Sequence, residues 1–241
     1  MSKTSGEVAQ FVFDLSLPPA LGPEDFIVAD SNREAAEWIA RWPDWPAPAL
    51  ALHGAPGAGK SHLLGIWAQR AGARRLTGAD LAAADPAELA ADGAVALDDA
   101  DRVAGDAAAE RALFHLHNLL KEAGGFLLLA AREPPARWPV ALPDLASRLK
   151  AAPAVGVGEP DDVLLAQVLA KLFADRQLAV GPEIVQAMLA RMERSFAEAR
   201  RLVGEIDAAS LAQGRSITLP LVRSILAEAA QRHGPHHPPI R

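Results

Sequence analysis

The spacing of apolar positions changes near residue 158. Before it, short unbroken apolar runs alternate with longer stretches in which apolar residues recur every three or four positions. The runs are ALAL (49–52), AVAL (94–97) and FLLLA (126–130), and they predict strands buried on both faces. ARRL (73–76) and PAVGV (153–157) are weaker strand candidates. The intervening spacing predicts three helices. One spans 30–42, opened by Asp30, Ser31 and Asn32 and ended by Pro43. One runs from Lys60 to about Ala71. The third covers 107–122, with Leu113, Leu116, Leu119 and Leu120 on one face and Gly124-Gly125 as its stop. Strands alternating with helices predict an α/β fold: a parallel sheet with helices on both faces.

After Glu159-Pro160 the strand pattern ends. Leu165, Leu169 and Phe173, then Ile184, Met188 and Met192, then Ala199, Leu202 and Ile206, and finally Val222, Ile225 and Leu226 fall at helical spacing. Four amphipathic helices predict a small all-α bundle. The expected organisation is an N-terminal tail (1–24), an α/β domain (25–158), a helical lid (159–230) and a Pro- and His-rich tail (231–241) that reads as disordered and solvated.

Composition narrows the function classes. A chain of 241 residues that is 50% hydrophobic can bury a full core. No apolar run reaches the length of a membrane span, and Lys3 is not followed by a signal-type apolar segment. The absence of cysteine excludes disulfides and thiolate metal sites, and suits a reducing cytoplasm. A net charge of −6 without a basic block disfavours binding to a DNA backbone, which needs Lys and Arg against phosphate.

The candidate chemistry lies between the first strand and the second helix. HGAPGAGKSH contains G-x-x-x-x-G-K-S, comprising Gly54, Ala55, Pro56, Gly57, Ala58, Gly59, Lys60 and Ser61, with His62 following. Its glycines let backbone N–H groups close around a β-phosphate at a helix N-terminus. Lys60 is expected to reach the β- and γ-phosphates, and Ser61 to offer its hydroxyl to Mg²⁺. The strand VALDD ends in Asp98, the candidate carboxylate for Mg²⁺ through water. Asp99 follows at the position of a water-orienting acid, with a shorter reach than Glu. The expected cofactors are ADP or ATP with Mg²⁺.

A phosphate loop, a DD strand end, a parallel sheet and a four-helix lid together resemble the AAA+ class. EDFIVADSNREA, REPPARWP and LPDLASRL (142–149) are similar to segments of the replication initiator DnaA, and QGRSITLPLVRSIL is similar to the last lid helix of its Hda-type homologues. Few residues follow that helix, fewer than a helix-turn-helix domain needs, so the resemblance favours the Hda-type regulators over the initiator itself.

The resemblance implies several things. Arg148 in ASRL would be an arginine finger acting in trans on DnaA; the plainer alternative is a surface arginine paired with Asp144. Separately from the resemblance, the segment Phe26–Val28, with Ile27 and Val28 as the candidate contacts, is expected near the adenine. QFVFDL (10–15), with Gln10, Phe11, Phe13 and Leu15, is similar to peptides that bind the β sliding clamp of DNA polymerase III, and its alternation suits an extended chain in a groove. The expected function is negative regulation of replication initiation by a cytoplasmic, replisome-associated protein with DnaA and the clamp as partners, with no sequence-specific DNA contact, no membrane contact, and a homodimer compatible with the AAA+ class.

Two positions depart from the pattern. Arg132 stands where DnaA and Hda carry Asp. Ala197 aligns with the lid's sensor arginine; Arg194, Arg200 or Arg201 could substitute, but helical spacing turns most of them elsewhere, Arg200 lying nearly a turn from Ala197. Slow or absent intrinsic hydrolysis follows from that reading. The competing reading is an autonomous AAA+ ATPase that loads a helicase or another replication factor.

Overall fold

The computed structural model describes residues 27–213 and 216–232. Five strands form one parallel sheet: β1 (Ala49–His53), β2 (Arg74–Thr77), β3 (Ala94–Asp98), β4 (Phe126–Ala131) and β5 (Ala154–Gly156), in the order β2-β3-β4-β1-β5. The three fully apolar runs are the three inner strands. The weaker candidates, ARRL and PAVGV, are the edges, where one side of a strand needs no neighbour and the sequence carries less hydrophobic signal.

Alternation along the inner strands sends side chains to two separate cores. Leu50, Leu52, Ala96, Leu128 and Ala130 face α1 (Arg33–Arg41) and α2 (Lys60–Ala71). Ala51, Val95, Leu97, Leu127 and Leu129 face α3 (Pro86–Ala91), α4 (Ala107–Ala123) and α5 (Pro143–Ala151). In the first core Trp45, from the loop after α1, stacks on Trp67 of α2 at 5.4 Å, and Trp42 meets Trp67 edge-on.

Helix α4 begins at Asp106, whose carboxylate accepts from the amides of Ala108 and Ala109, and ends at Gly124 in the left-handed conformation, as its sequence predicts. Helix α3 has no predicted counterpart. It is six residues long with a single buried side chain, Leu89, so it has no period to detect. Its only sequence signal is the capping pair Asp85-Pro86. Asn32 stands at the N-cap of α1 but makes no cap. Instead its side chain is buried, accepts from Ala29 N (2.9 Å) and donates to Ile27 O (3.0 Å), fixing the segment that leads into α1.

The lid consists of α6 (Asp162–Asp175), α7 (Pro182–Leu189), α8 (Phe196–Gln213) and α9 (Leu219–Arg232), around a third core of Leu165, Leu169, Phe173, Met188, Leu202 and Ile206. The chain passes into it at Gly158, whose amide donates to Ser31 O at 2.7 Å. Gln10, Phe11, Phe13 and Leu15 lie outside the described residues. Among the described residues no helix is long and apolar enough to cross a membrane.

Candidate functional site

The glycine-rich loop leaves the C-terminal end of β1, where ligands of open parallel sheets bind. Its fold depends on backbone that side chains disfavour. Gly57 has φ +78°, and a Cβ there would collide with Ser195 of the lid. Gly54 has no room for one either, because the Val157 carbonyl lies against it. Gly59 caps α2 without a side chain, so no cap side chain competes with an anion for the amides at the helix start.

Strand order places the other predicted groups beside this loop. β4 lies between β1 and β3, so its C-terminal end sits between the phosphate loop and Asp98-Asp99. There Arg132 ties the two together through its backbone: its carbonyl accepts from Gly54 N (3.2 Å) and its amide donates to Asp101 (3.4 Å). Asp98 accepts from the amide of Asp99 at 3.0 Å. Asp99 itself is left-handed (φ +46°, ψ +43°), a conformation that costs roughly 1 kcal/mol outside glycine. Lys60 Nζ donates to Gly54 O and Ala55 O, both at 2.8 Å. Burial pushes its ammonium below the usual lysine value; Asp98, Asp99 and Asp101 oppose that, and Arg132 adds to it.

A cavity of about 380 Å³ opens between this loop and the lid. Gly57, Gly59, Lys60, Ser61 and His62 line its polar end, while Gly54, Ala55, Pro56 and Ala58 are not on its wall. Ile27, Leu164, Val168, Leu172 and Phe196 supply an apolar end suited to a purine. Leu164, Val168, Lys171 and Leu172 share one face of α6, next to the face that enters the lid core, and Leu172 touches both. Val28 does not line the cavity; it packs on the core beneath α1 and α2. The lid rests on the loop directly: Phe196 N donates to Gly57 O at 3.3 Å, and the ring of Phe196 lies over Gly59.

The geometry corrects one expectation about the lid. Arg200 lines the cavity together with Ala197. Residues three apart on a helix lie on the same face, so the cation is carried one turn further along α8 and is not turned away. Arg194 and Arg201 do point elsewhere. Arg194 pairs with Asp162 (3.0 Å), and Arg201 is held by Glu198 and Glu205 (both 2.6 Å).

These residues fit a nucleotide with Mg²⁺. The loop is shaped for phosphate, the far wall is apolar, and Ser61 with Asp98 could complete a shell for Mg²⁺, an ion normally held by one or two protein groups plus phosphate oxygens. Among the described residues no cluster of His, Asp and Glu could hold a metal by itself.

Arg148 is in neither this cavity nor an ion pair with Asp144. It lies in the last turn of α5, beside Pro48 and Ala49 at the start of β1, whereas the phosphate loop follows the end of that strand, roughly 13 Å away along the sheet. Its guanidinium sits 4.9 Å above the ring of Phe114. The helix that carries it is anchored by a residue that sequence reasoning missed. Glu110 of α4, 2% exposed, accepts from Gly105 N, from Ala141 N with both oxygens, and from Leu142 N at 2.8–3.1 Å. A charged residue on the apolar side of a predicted helix was its only signal.

Comparison with known proteins decides the kind of lid. Residues 162–226 match the family model "Hda, lid domain". Over that segment the chain is similar to Hda. A Haemophilus influenzae protein described as uncharacterized is 28% identical over 227 residues, covering 88% of this chain and 94% of that one. Among solved structures, domain III of the Thermotoga maritima replication initiation protein DnaA superposes with a TM-score of 0.73 at 18% identity, covering 87% of this chain and 98% of that domain. A DNA replication initiation factor (TM-score 0.67, 20% identity) and AMPPCP-bound DnaA from Aquifex aeolicus (0.64, 22%) match over 77% of this chain, which spans 63% and 64% of their lengths. These likenesses establish the AAA+ fold, ending in a lid segment that matches the Hda model.

Proposed function

We propose that this protein is a nucleotide-bound regulator that inactivates DnaA by promoting hydrolysis of its ATP, with Arg148 supplied in trans. The observation that supports the reading is the separation of Arg148 from its own phosphate loop: the cation cannot reach a nucleotide held there, so a nucleotide that it meets is held by another molecule. Charge placed where a transition state accumulates negative oxygen is the largest single term in phosphoryl transfer. Bound nucleotide supplies a polyphosphate anion that the loop amides and Lys60 can grip. Gly57 and Gly59 bring the loop against Ser195 and Phe196, so the same segment that holds phosphate also sets the lid on the base. Asp98 and Ser61 would hold Mg²⁺, and Ile27 would flank the base. Gln10, Phe11, Phe13 and Leu15 would tether the protein to the β clamp in the cytoplasm.

The test is ATP-loaded DnaA incubated with this protein and DNA-loaded clamp, following ADP on DnaA. We expect acceleration that Arg148→Ala removes. Acceleration that survives Arg148→Ala, or none with the intact protein, overturns the reading.

The position of Arg200 favours a second reading. With a lid cation on the wall of the nucleotide cavity, the case for a protein without turnover of its own is weaker, and an autonomous ATPase acting as a loader becomes the alternative. Steady-state hydrolysis by the isolated protein separates the two: turnover of about 1 per second or faster, unaffected by DnaA, supports the loader.

A further inference from the structure

A second cavity, of about 260 Å³, lies between α4 and α5 at the start of β1. His117 and Lys121 of α4 and Ser147 and Arg148 of α5 line it, with Pro48, Ala49 and other small apolar residues completing the wall; no carboxylate does. The chain carries a net charge of −6, and several arginines elsewhere have carboxylate partners: Arg74 with Asp92, Arg137 with Glu133, Arg194 with Asp162. Neither Arg148 nor Lys121 has a carboxylate partner among the described residues.

Two nitrogens here are buried without a hydrogen-bond partner, Nε of Arg148 and Nδ1 of His117, and His117 is only 8% exposed. A buried polar atom left unpaired costs about 1–3 kcal/mol, and both of these belong to side chains that also line the cavity. Phe114 covers one face of the guanidinium, which leaves its in-plane N–H edge free to donate.

We infer that this cavity is an oxyanion site that takes a free phosphate- or sulfate-sized anion between Arg148, Lys121 and His117, separate from the nucleotide cavity. The direction of the His117 shift agrees: burial, Arg148 and Lys121 hold its imidazole below the ordinary value, and an anion would reverse that. The inference stands on cavity geometry and does not require that Arg148 act on DnaA.

The experiment uses the full chain saturated with ADP, so that the phosphate loop is blocked. Inorganic phosphate, sulfate and acetate are titrated separately while the His117 ring Cε1–Hε1 signal, assigned with His117→Asn, is followed by NMR. Phosphate and sulfate should shift it saturably in the millimolar range and raise the His117 pKa. Lys121→Gln, at an exposed position, should weaken binding at least fivefold, and Arg148→Gln tenfold. Acetate should bind several-fold more weakly. An absent or non-saturating shift, a shift that survives both substitutions, or an equal response to acetate overturns the proposal. No partner protein enters the assay, so its failure leaves the proposed function standing, and failure of the DnaA assay leaves this site standing.

Discussion

The cavity at the C-terminal end of β1 takes its shape from backbone, and the cavity at the start of the same strand takes its shape from side chains. In the first, glycine conformations, free amides and one lysine form the phosphate end within eight consecutive residues. In the second, α4 and α5 bring together residues about thirty positions apart, and the groups that count are an arginine, a lysine and a histidine. A backbone cradle tolerates variation in its neighbours but not within itself. A side-chain cavity can be dismantled one residue at a time, and its parts can be weighed separately.

The largest effect that separates the two is expected from Lys60→Ala. It removes the one mobile cation of the phosphate loop, worth about 3 kcal/mol in charge-assisted hydrogen bonds, or roughly a hundredfold in affinity. Calorimetry with ADP should show that loss, while phosphate binding at the α4–α5 cavity is unchanged. A parallel loss at both would mean that the cavities are one coupled site.

A smaller effect is expected at Glu110, which anchors α5. Glutamine presents an N–H₂ where the carboxylate accepted, so at least one backbone donor is left facing a donor at a cost of about 2 kcal/mol, roughly 4–8 °C in Tm for a chain of this size. Burial pushes the Glu110 carboxyl up, but the amides of Ala141, Gly105 and Leu142 outweigh burial and the nearby Asp106, holding it below the ordinary range. A depressed carboxylate contributes its stability above the unfolded value, about 4.3, and loses it as pH falls through the folded one. Thermal melts between pH 7 and 3 should therefore show less acid lability in Glu110→Gln than in the parent. Equal slopes would assign Glu110 a neutral packing role.

The two regions were not equally legible in the sequence, for a physical reason. The phosphate loop is local: its glycines, lysine and serine are contiguous, and the strand before and helix after it follow from period alone. The order of the three inner strands was hidden, because a crossover leaves no mark in the residues it joins. Arg200 was misjudged because being nearly a turn from Ala197 was read as pointing away, whereas residues three apart share a helix face and one cavity takes in both. Asn32 looked like a cap and is a buried brace for the preceding turn. Arg148 was singled out from a string, but neither its seat on Phe114 nor the buried His117 beside it could be read, since helix packing decides both.

The finest distinction lies at Phe114. Its ring supports the Arg148 guanidinium at 4.9 Å, a cation–π contact worth about 0.5–1 kcal/mol where solvent is near. Phe114→Leu keeps most of the apolar volume and removes the π-face, so α4 and α5 should stay packed and the melting temperature should move little. If the ring only fills space, nothing else changes. If it positions Arg148, clamp-dependent stimulation of DnaA hydrolysis should fall about two- to fivefold, Phe114→Tyr should restore it, and ADP affinity at the phosphate loop should be the same in all three proteins. A loss that tyrosine fails to restore would assign the effect to packing and leave Arg148 held by its helix alone.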